Sequence, residues 1–121
     1  MKIYFIGEYN KPGMKPLDSD TVTGKIIDAI IKELSCQCIK TNLCNTDYKP
    51  QGYGLIITAA YWHYLNRPQS GDIVILLGKW VSANFQRREH ITIELEHPAS
   101  RNLNKEEYIK RTVEKIIKEI K

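Results

Sequence analysis

Long apolar runs are missing from this sequence of 121 residues. The longest, the five residues from Ile73 to Leu77, falls far short of the roughly 20 apolar residues that a membrane-spanning helix needs. The first eight residues hold one basic residue and a very short apolar stretch that ends at an acid, so they do not build a secretory signal peptide. We therefore predict no membrane partner and a cytoplasmic location.

Cysteine is scarce: Cys36, Cys38 and Cys44 are the three in the chain and fall within nine residues. An odd number of cysteines without an export signal does not indicate a disulfide framework. Structural zinc sites and iron–sulfur clusters generally have four protein ligands, more than these thiols supply. The alternation of Cys36 and Cys38 fits one face of a strand, where free cysteine is a common core residue. We expect reduced thiols and neither a metal nor another cofactor.

Internal repeats, low-complexity tracts and linker-like stretches are also lacking, and a composition of 42% apolar and 26% charged residues is ordinary for a globular chain. Residues 1–121 are thus predicted to form a single domain. Lysine and arginine number 18 against 14 aspartates and glutamates, which gives a formal charge of +4. This charge permits a phosphate-bearing partner but does not require one.

Short apolar runs alternate with segments of helical spacing along the chain. Runs rich in β-branched and aromatic residues predict strands at residues 2–6, 36–42, 72–77 and 91–95. Apolar positions at helical spacing predict helices at residues 22–34, 54–66, 79–86 and 105–120. Asp20 or Thr21 is available as the N-cap of the first helix. Pro68 ends the second helix, because a proline biases the residue before it away from helical angles.

This alternation, without the signals of tight hairpins, is typical of βαβ units. The predicted fold class is α/β, a three-layer α/β/α sandwich with a central four-stranded, mostly parallel sheet. Functional residues of such sheets gather beyond the carboxyl ends of the strands. The longest irregular stretch, residues 8–20, directly follows the first strand, and a long loop in a small domain is usually functional.

Three side chains able to take part in hydrolysis lie at the carboxyl ends of the predicted strands: the Glu8 carboxylate, the Asn42 amide and the His97 imidazole. Hydrolysis of a bond to a heterocyclic base needs groups of these kinds. A carboxylate orients water or stabilises a cationic sugar, an amide pairs with the edge of the base, and a donor takes up charge on the departing base.

Motifs at these positions resemble those of the uracil-DNA glycosylase superfamily, in particular its small iron–sulfur bacterial and archaeal branch, over nearly the whole chain. Gly7-Glu8 through Pro12-Gly13 is similar to a Gly-Glu-Ala-Pro-Gly motif with two extra residues. Thr23-Gly24-Lys25 resembles the Gly-Lys-Leu-Leu start of a helix, and Thr41-Asn42-Leu43 the Thr-Asn-Val segment. Residues 73–78 resemble the Val-Ile-Val-Ala-Leu-Gly strand, and His97-Pro98-Ala99-Ser100 the His-Pro motif that closes the site. The resemblance implies a DNA repair enzyme that excises a flipped base.

The resemblance assigns catalytic roles to Glu8, which assists water or stabilises the sugar cation, and to His97, which stabilises the departing base. Asn42 would read the amide face of the base, next to Gly7. The family's aromatic platform for the flipped base corresponds here to Lys15-Pro16-Leu17, so Leu17 stands at that place and Tyr9 could substitute for the platform. This departure makes a modified or larger base plausible.

Contacts with DNA are expected from residues that follow the strands and start the helices. The resemblance implies that a residue after the histidine motif fills the gap left by the flipped base, a role open to Arg101 or Leu103. The predicted DNA contacts are Lys15, Lys79, Ser100, Arg101 and Leu103.

Each of these residues also has a purely structural interpretation. Glu8 could cap or solvate a loop, Asn42 could form a turn after its strand, and His97 could serve packing. His63 and His90 show nothing beyond a structural role. As a whole, the chain could be a non-catalytic relative that binds a nucleic acid, a nucleotide or a protein. The start of the chain, residues 2–7, also somewhat resembles nucleoside deoxyribosyltransferases.

Overall fold

The computed structural model describes residues 1–88, 90–100 and 102–120. Within these ranges the chain forms four strands and four helices in strict alternation. The strands are β1 (Lys2–Tyr9), β2 (Gln37–Cys44), β3 (Ile73–Leu77) and β4 (Ile91–Leu95). The helices are α1 (Val22–Lys32), α2 (Gly52–Asn66), α3 (Lys79–Asn84) and α4 (Lys105–Ile120). None of these helices is both long enough and apolar enough to cross a bilayer.

The strands form one sheet in the order β2-β1-β3-β4, and the pairs described are all parallel. The predicted α/β fold with a central four-stranded sheet is therefore confirmed, and the sheet is parallel throughout rather than mostly so. In the β1–β2 register Gly7 lies beside Asn42. Because all four strands run the same way, their carboxyl ends meet at one edge, which we call the carboxyl edge.

Helices cover both faces of the sheet, and each face has its own apolar cluster. On one face α1 and α4 pack against alternate residues of the strands, among them Ile3, Phe5, Ile75 and Ile93. On the other face α2 and α3 pack against residues such as Tyr4, Ile6 and Leu76. β3 is buried at each of its five positions, as expected for a central strand covered on both sides.

The α2 face of the sheet holds a buried hydrogen-bonded pair within its aromatic cluster. Trp62 Nε1 donates to Thr41 Oγ1 at 3.0 Å, and this hydroxyl donates to the backbone oxygen of Phe5 at 3.2 Å. The Trp62 ring meets the ring of Tyr4 edge to face, with centroids 5.5 Å apart. Since a buried indole N–H needs an acceptor, Thr41 lets a tryptophan be placed at the centre of this face.

Several predicted boundaries were wrong by a few residues. β1 continues to Tyr9, where it still pairs with Cys44, so Glu8 belongs to the strand and the irregular stretch begins only at Asn10. The same pairing moves β2 to residues 37–44. α1 ends at Lys32 rather than at residue 34, α2 begins two residues earlier than predicted, and α3 ends at Asn84, before the extended backbone of Phe85.

The helix ends otherwise follow the local signals in the sequence. Thr21 caps α1, since its hydroxyl accepts the Gly24 N–H at 2.9 Å. α2 ends where Arg67 takes a left-handed conformation, φ 47°, immediately before Pro68.

Candidate functional site

A cavity of about 120 Å³ opens at the carboxyl edge of the sheet, and seven of the residues that the sequence singled out line it. These are Gly7, Glu8, Tyr9, Lys15, Leu17, Asn42 and His97. The sequence analysis assigned no role in a site to the other lining residues, which are Lys11, Met14, Asp18, Thr21 and Thr23. A cavity of about 150 Å³ holds benzene. This one is somewhat smaller, which limits an enclosed ligand to about one ring, and it is far below the roughly 300–1,000 Å³ of drug-sized pockets.

Gly7 keeps the floor of the cavity open. A Cβ atom at this position would lie 2.7 Å from Asn42 Oδ1 and 3.0 Å from Leu17 Cδ2. The Asn42 amide and the Leu17 side chain thus sit directly over a residue with no side chain of its own. A larger residue here would displace the amide that the sequence analysis assigned to base recognition.

The Asn42 amide is held in place by a second asparagine. Asn42 Nδ2 donates to Asn10 Oδ1 at 2.8 Å, and the backbone N–H of Asn10 donates to the Thr46 oxygen at 2.9 Å. This leaves Asn42 with Oδ1 as an acceptor and with its second amide N–H as a donor. The only signal for Asn10 in the sequence was its place in the irregular stretch, residues 8–20, after the first predicted strand.

His97 has one ring nitrogen that is already bonded within its own turn. Nδ1 accepts the backbone N–H of Ala99 at 3.1 Å, so the neutral ring carries its proton on Nε2. Tyr108 of α4 fixes the preceding residue, because its hydroxyl donates to the Glu96 oxygen at 2.7 Å. Gly78, with φ 94°, allows the ring to approach, since a Cβ there would lie 3.3 Å from His97 Cβ. His97 therefore offers a positioned N–H donor.

Glu8 lines the cavity, but its carboxylate has a partner elsewhere. Oε1 lies 3.4 Å from Lys49 Nζ, and this ammonium lies 4.6 Å from the centroid of the Trp80 ring. Alternation along β1 puts Glu8 on the same side as Tyr4 and Ile6, which pack under α2 and α3. Asn42, beside Gly7, belongs to the opposite face. The carboxylate thus lies at the border of the cavity.

Residues 10–21 form the outer wall of the cavity, and we call them the rim loop. Asp18 organises it: its carboxylate accepts the backbone N–H groups of Asp20 at 3.0 Å and Lys15 at 3.1 Å. These two hydrogen bonds hold the pKa of the Asp18 carboxyl below its usual value, and the bond from Asp20 has the larger effect. The Thr21 hydroxyl donates to the Asp18 backbone oxygen at 2.7 Å, which joins the loop to the start of α1.

Leu17 and Tyr9, the two residues considered for the aromatic platform, both lie in the wall of the cavity. Leu17 lines the cavity with a left-handed backbone, φ 50°, and Tyr9 lines it while packing against the α2 side of the core. The Tyr9 ring is the aromatic group that a bound base could meet at this cavity.

The predicted DNA contacts are spread more widely than the cavity. Lys15 lies in its wall, whereas Lys79, exposed at the start of α3, borders a separate hollow with Glu96. Ser100 is exposed, and its N–H donates to the His97 oxygen at 3.0 Å. Leu103 is half-buried against the α1 and α4 cluster, so it is not presented as a free wedge. Arg101 lies outside the described residues.

The three cysteines lie in or beside the core. Cys36 and Cys38 pack against the α1 and α4 cluster, while Cys44 is fully buried on the other face. Burial raises the pKa of the Cys38 and Cys44 thiols to about 11, with the neighbouring Cys36 adding to the rise at Cys38. These two thiols are therefore poor nucleophiles at neutral pH.

His63 and His90 lie at the opposite edge of the sheet, packed around Phe85 with ring centroids 5.8 Å apart. His63 Nε2 donates to the Gln86 oxygen at 2.7 Å, and its Nδ1 is buried without a partner in the described chain. Burial, aided by the charge of Arg88, lowers the pKa of both rings below 6.5, although Asp72 partly opposes this at His90.

This histidine pair predicts acid-sensitive stability. As the pH falls through 6.5, both histidines take up protons in the unfolded chain but remain neutral to a lower pH in the folded chain. The free energy of unfolding therefore declines below pH 6.5, and the pair has no effect on it well above that pH. Urea unfolding at several pH values between about 7 and 5 measures the slope. The double variant His63→Gln, His90→Gln keeps an amide donor for Gln86 and should flatten the slope. An unchanged slope would assign the effect to other groups.

The sequence matches no protein-family model, and it matches none of the curated proteins with which it was compared.

Proposed function

We propose that the protein is a DNA glycosylase, which hydrolyses the N-glycosidic bond of uracil or a related modified base flipped out of DNA. The observation that carries the proposal is that Glu8, Asn42 and His97, from three different strand ends, line one cavity of about 120 Å³. Side chains that far apart in sequence converge on a space that suits one heterocyclic ring.

Two of these groups match the polar edge of such a base. Asn42 presents an acceptor and a donor side by side, the pattern that pairs with an adjacent N–H and carbonyl of a uracil-like ring. His97 presents Nε2–H, a donor suited to a carbonyl oxygen on which negative charge grows as the base departs. Both are pre-positioned, Asn42 by Asn10 at 2.8 Å and His97 by the Ala99 N–H at 3.1 Å. Catalysis by positioned dipoles depends on such fixed geometry.

In this proposal Glu8 acts at the sugar rather than at the base. Its place at the border of the cavity suits a carboxylate that stabilises positive charge on the sugar or orients the attacking water. Lys49 contacts Oε1 at 3.4 Å, so this role falls to Oε2. Both nearby lysines of the rim loop, Lys11 and Lys15, supply positive charge where a DNA backbone would approach the cavity.

A non-catalytic binding protein is the second candidate. It is favoured by the contacts that already engage two of the proposed site groups, the Asn42 amide with Asn10 and the Glu8 carboxylate with Lys49. A cavity built only for recognition would hold a base or nucleotide without releasing it.

The test is base release from oligonucleotides that contain a single uracil, hydroxymethyluracil or hypoxanthine, followed as abasic sites that alkali cleaves. Asn42→Ala is expected to slow release about 10- to 100-fold, because an unpaired hydrogen-bonding group on the base costs about 1–3 kcal/mol. Asn45→Ala, at an exposed asparagine in the loop after β2, is the matched control and should keep full activity.

Release at an unchanged rate in Asn42→Ala would contradict the role assigned to this residue. Tight binding of the same oligonucleotides without any abasic product would support the second candidate instead. Fluorescence anisotropy on the same substrates separates these two outcomes.

A further inference from the structure

Helix α2 contains no lysine, arginine, aspartate or glutamate over its 15 residues. Its inner face is buried in the core through Ala59, Trp62 and His63. A surface helix normally turns charged and polar residues outward, and a helix that is apolar all round is normally buried on all sides. The outer side of α2 is therefore an apolar face that no other part of the described chain covers.

The exposed residues on this side are large. They are Tyr53 at 80%, Ile56 at 58%, Ile57 at 60%, Tyr61 at 43%, Tyr64 at 61% and Leu65 at 52% exposure. We call these six residues the α2 patch. The Tyr61 and Tyr64 rings stack on each other with centroids 5.3 Å apart, so part of the patch is already ordered. Rigid aromatic side chains of this kind lose little conformational entropy when they are covered.

We infer that the α2 patch pairs with the same patch of a second copy of this chain, to form a two-fold symmetric dimer. Tyr53, Ile57, Tyr61 and Leu65 recur at every fourth position, and the midpoint of this exposed row lies between Ile57 and Tyr61. A two-fold axis through that point places Ile57 of each copy beside Tyr61 of the other. Rows of this spacing pack into one another when two helices cross at about −50°, the commonest packing of helices in globular proteins.

The size of the patch agrees with a dimer interface. With roughly 200 Å² for a fully exposed aromatic side chain and roughly 100 Å² for an aliphatic one, the six exposures amount to about 550 Å². Specific interfaces bury about 600–1,000 Å² on each partner, so the six residues would supply most of the lower figure if they were fully covered.

Charge favours a second copy over other occupants. The protein carries a net charge of +4, but the six patch residues are uncharged. Two copies therefore meet like charge only at the border of the patch, where the Arg67 guanidinium lies 5.3 Å from the centroid of the Tyr64 ring. A helix that lies in a membrane surface typically has lysine and arginine along its polar side, and α2 has none.

The dimer is independent of the proposed activity, because no residue of α2 lines the cavity at the carboxyl edge. The test is sedimentation equilibrium of the wild-type protein and of Ile57→Glu, which places a charge at the centre of the patch. Ile120→Glu is the matched control, since Ile120 is an isoleucine 42% exposed on α4. Circular dichroism establishes that each variant is folded, and Ile56→Glu is measured in place of Ile57→Glu if the latter does not fold.

We expect a wild-type dimer with a dissociation constant of about 1 μM or below, weakened at least about 100-fold by Ile57→Glu and unchanged by Ile120→Glu. A wild-type protein that stays monomeric at about 100 μM would overturn the inference. A dimer that persists in both patch variants, or that Ile120→Glu weakens equally, would show that the interface lies elsewhere and would also overturn the inference.

Discussion

Replacing His97 with alanine is expected to lower the rate of base release by about 10²–10³-fold, the usual cost of removing one donor that stabilises developing negative charge. Single-turnover kinetics on the uracil oligonucleotide measure the chemical step directly. Binding of the same DNA should change much less than the rate, because the donor acts mainly on charge that appears as the base departs.

Two conservative variants separate the chemistry of His97 from its role in the turn. Asparagine can keep the acceptor that Nδ1 offers to the Ala99 N–H but has no atom at the place of Nε2, so His97→Asn should be folded and as slow as His97→Ala. Glutamine can place an amide N–H near the position of Nε2, so His97→Gln should recover part of the rate. Equal activity in the asparagine variant and the wild type would show that His97 is structural.

Replacing Gly24 with alanine is expected to destabilise the fold by more than about 3 kcal/mol, although alanine is the better helix former by about 1 kcal/mol. A Cβ atom at Gly24 would lie 1.7 Å from the Asp18 backbone oxygen and 2.6 Å from that of Leu17. Neither contact can be relieved by turning a side chain, so the rim loop would have to leave the start of α1. Urea unfolding monitored by circular dichroism gives the change in free energy.

Gly54 provides the control for this prediction. It lies in α2 with nothing within 4 Å of a Cβ atom, so Gly54→Ala should stabilise the protein by about 0.5–1 kcal/mol through helix propensity alone. Similar changes in the free energy of unfolding of the two variants would mean that the rim loop can shift to make room for the added methyl group. The Gly24 variant should also lose the cavity, since Asp18 and Leu17 belong to its wall.

Much of the fold could be predicted from the sequence because apolar spacing and helix signals agree over most of the chain. The predicted bounds of β4 and α4 are confirmed at both ends, Ile91–Leu95 and Lys105–Ile120. The end of β1 could not be found in this way. Glu8 and Tyr9 are half-buried with mixed polarity, and only their pairing with β2 makes them part of the strand.

The candidate site was predictable in outline and not in detail. The common direction of the strands brings Asn42 and His97 to one edge, as the placement of the motifs at strand ends indicated, and both line the cavity. The contact of Lys49 with Glu8 joins residues far apart in sequence, and no local pattern marks it. Asn10 and Asp18 were likewise missed, because their roles depend on hydrogen bonds to Asn42 and to the backbone of the rim loop.

The fastening of the rim loop has a consequence for the entropy of binding. Asp18 holds the loop through two of its backbone N–H groups, and the Thr21 hydroxyl, which donates to the Asp18 oxygen, accepts the Gly24 N–H of α1. Ordering a loop on binding costs affinity, roughly 0.5–1.5 kcal/mol for each immobilised side chain rich in rotamers. Because these bonds form on folding, a ligand that entered this cavity would lose no affinity to the ordering of the rim loop.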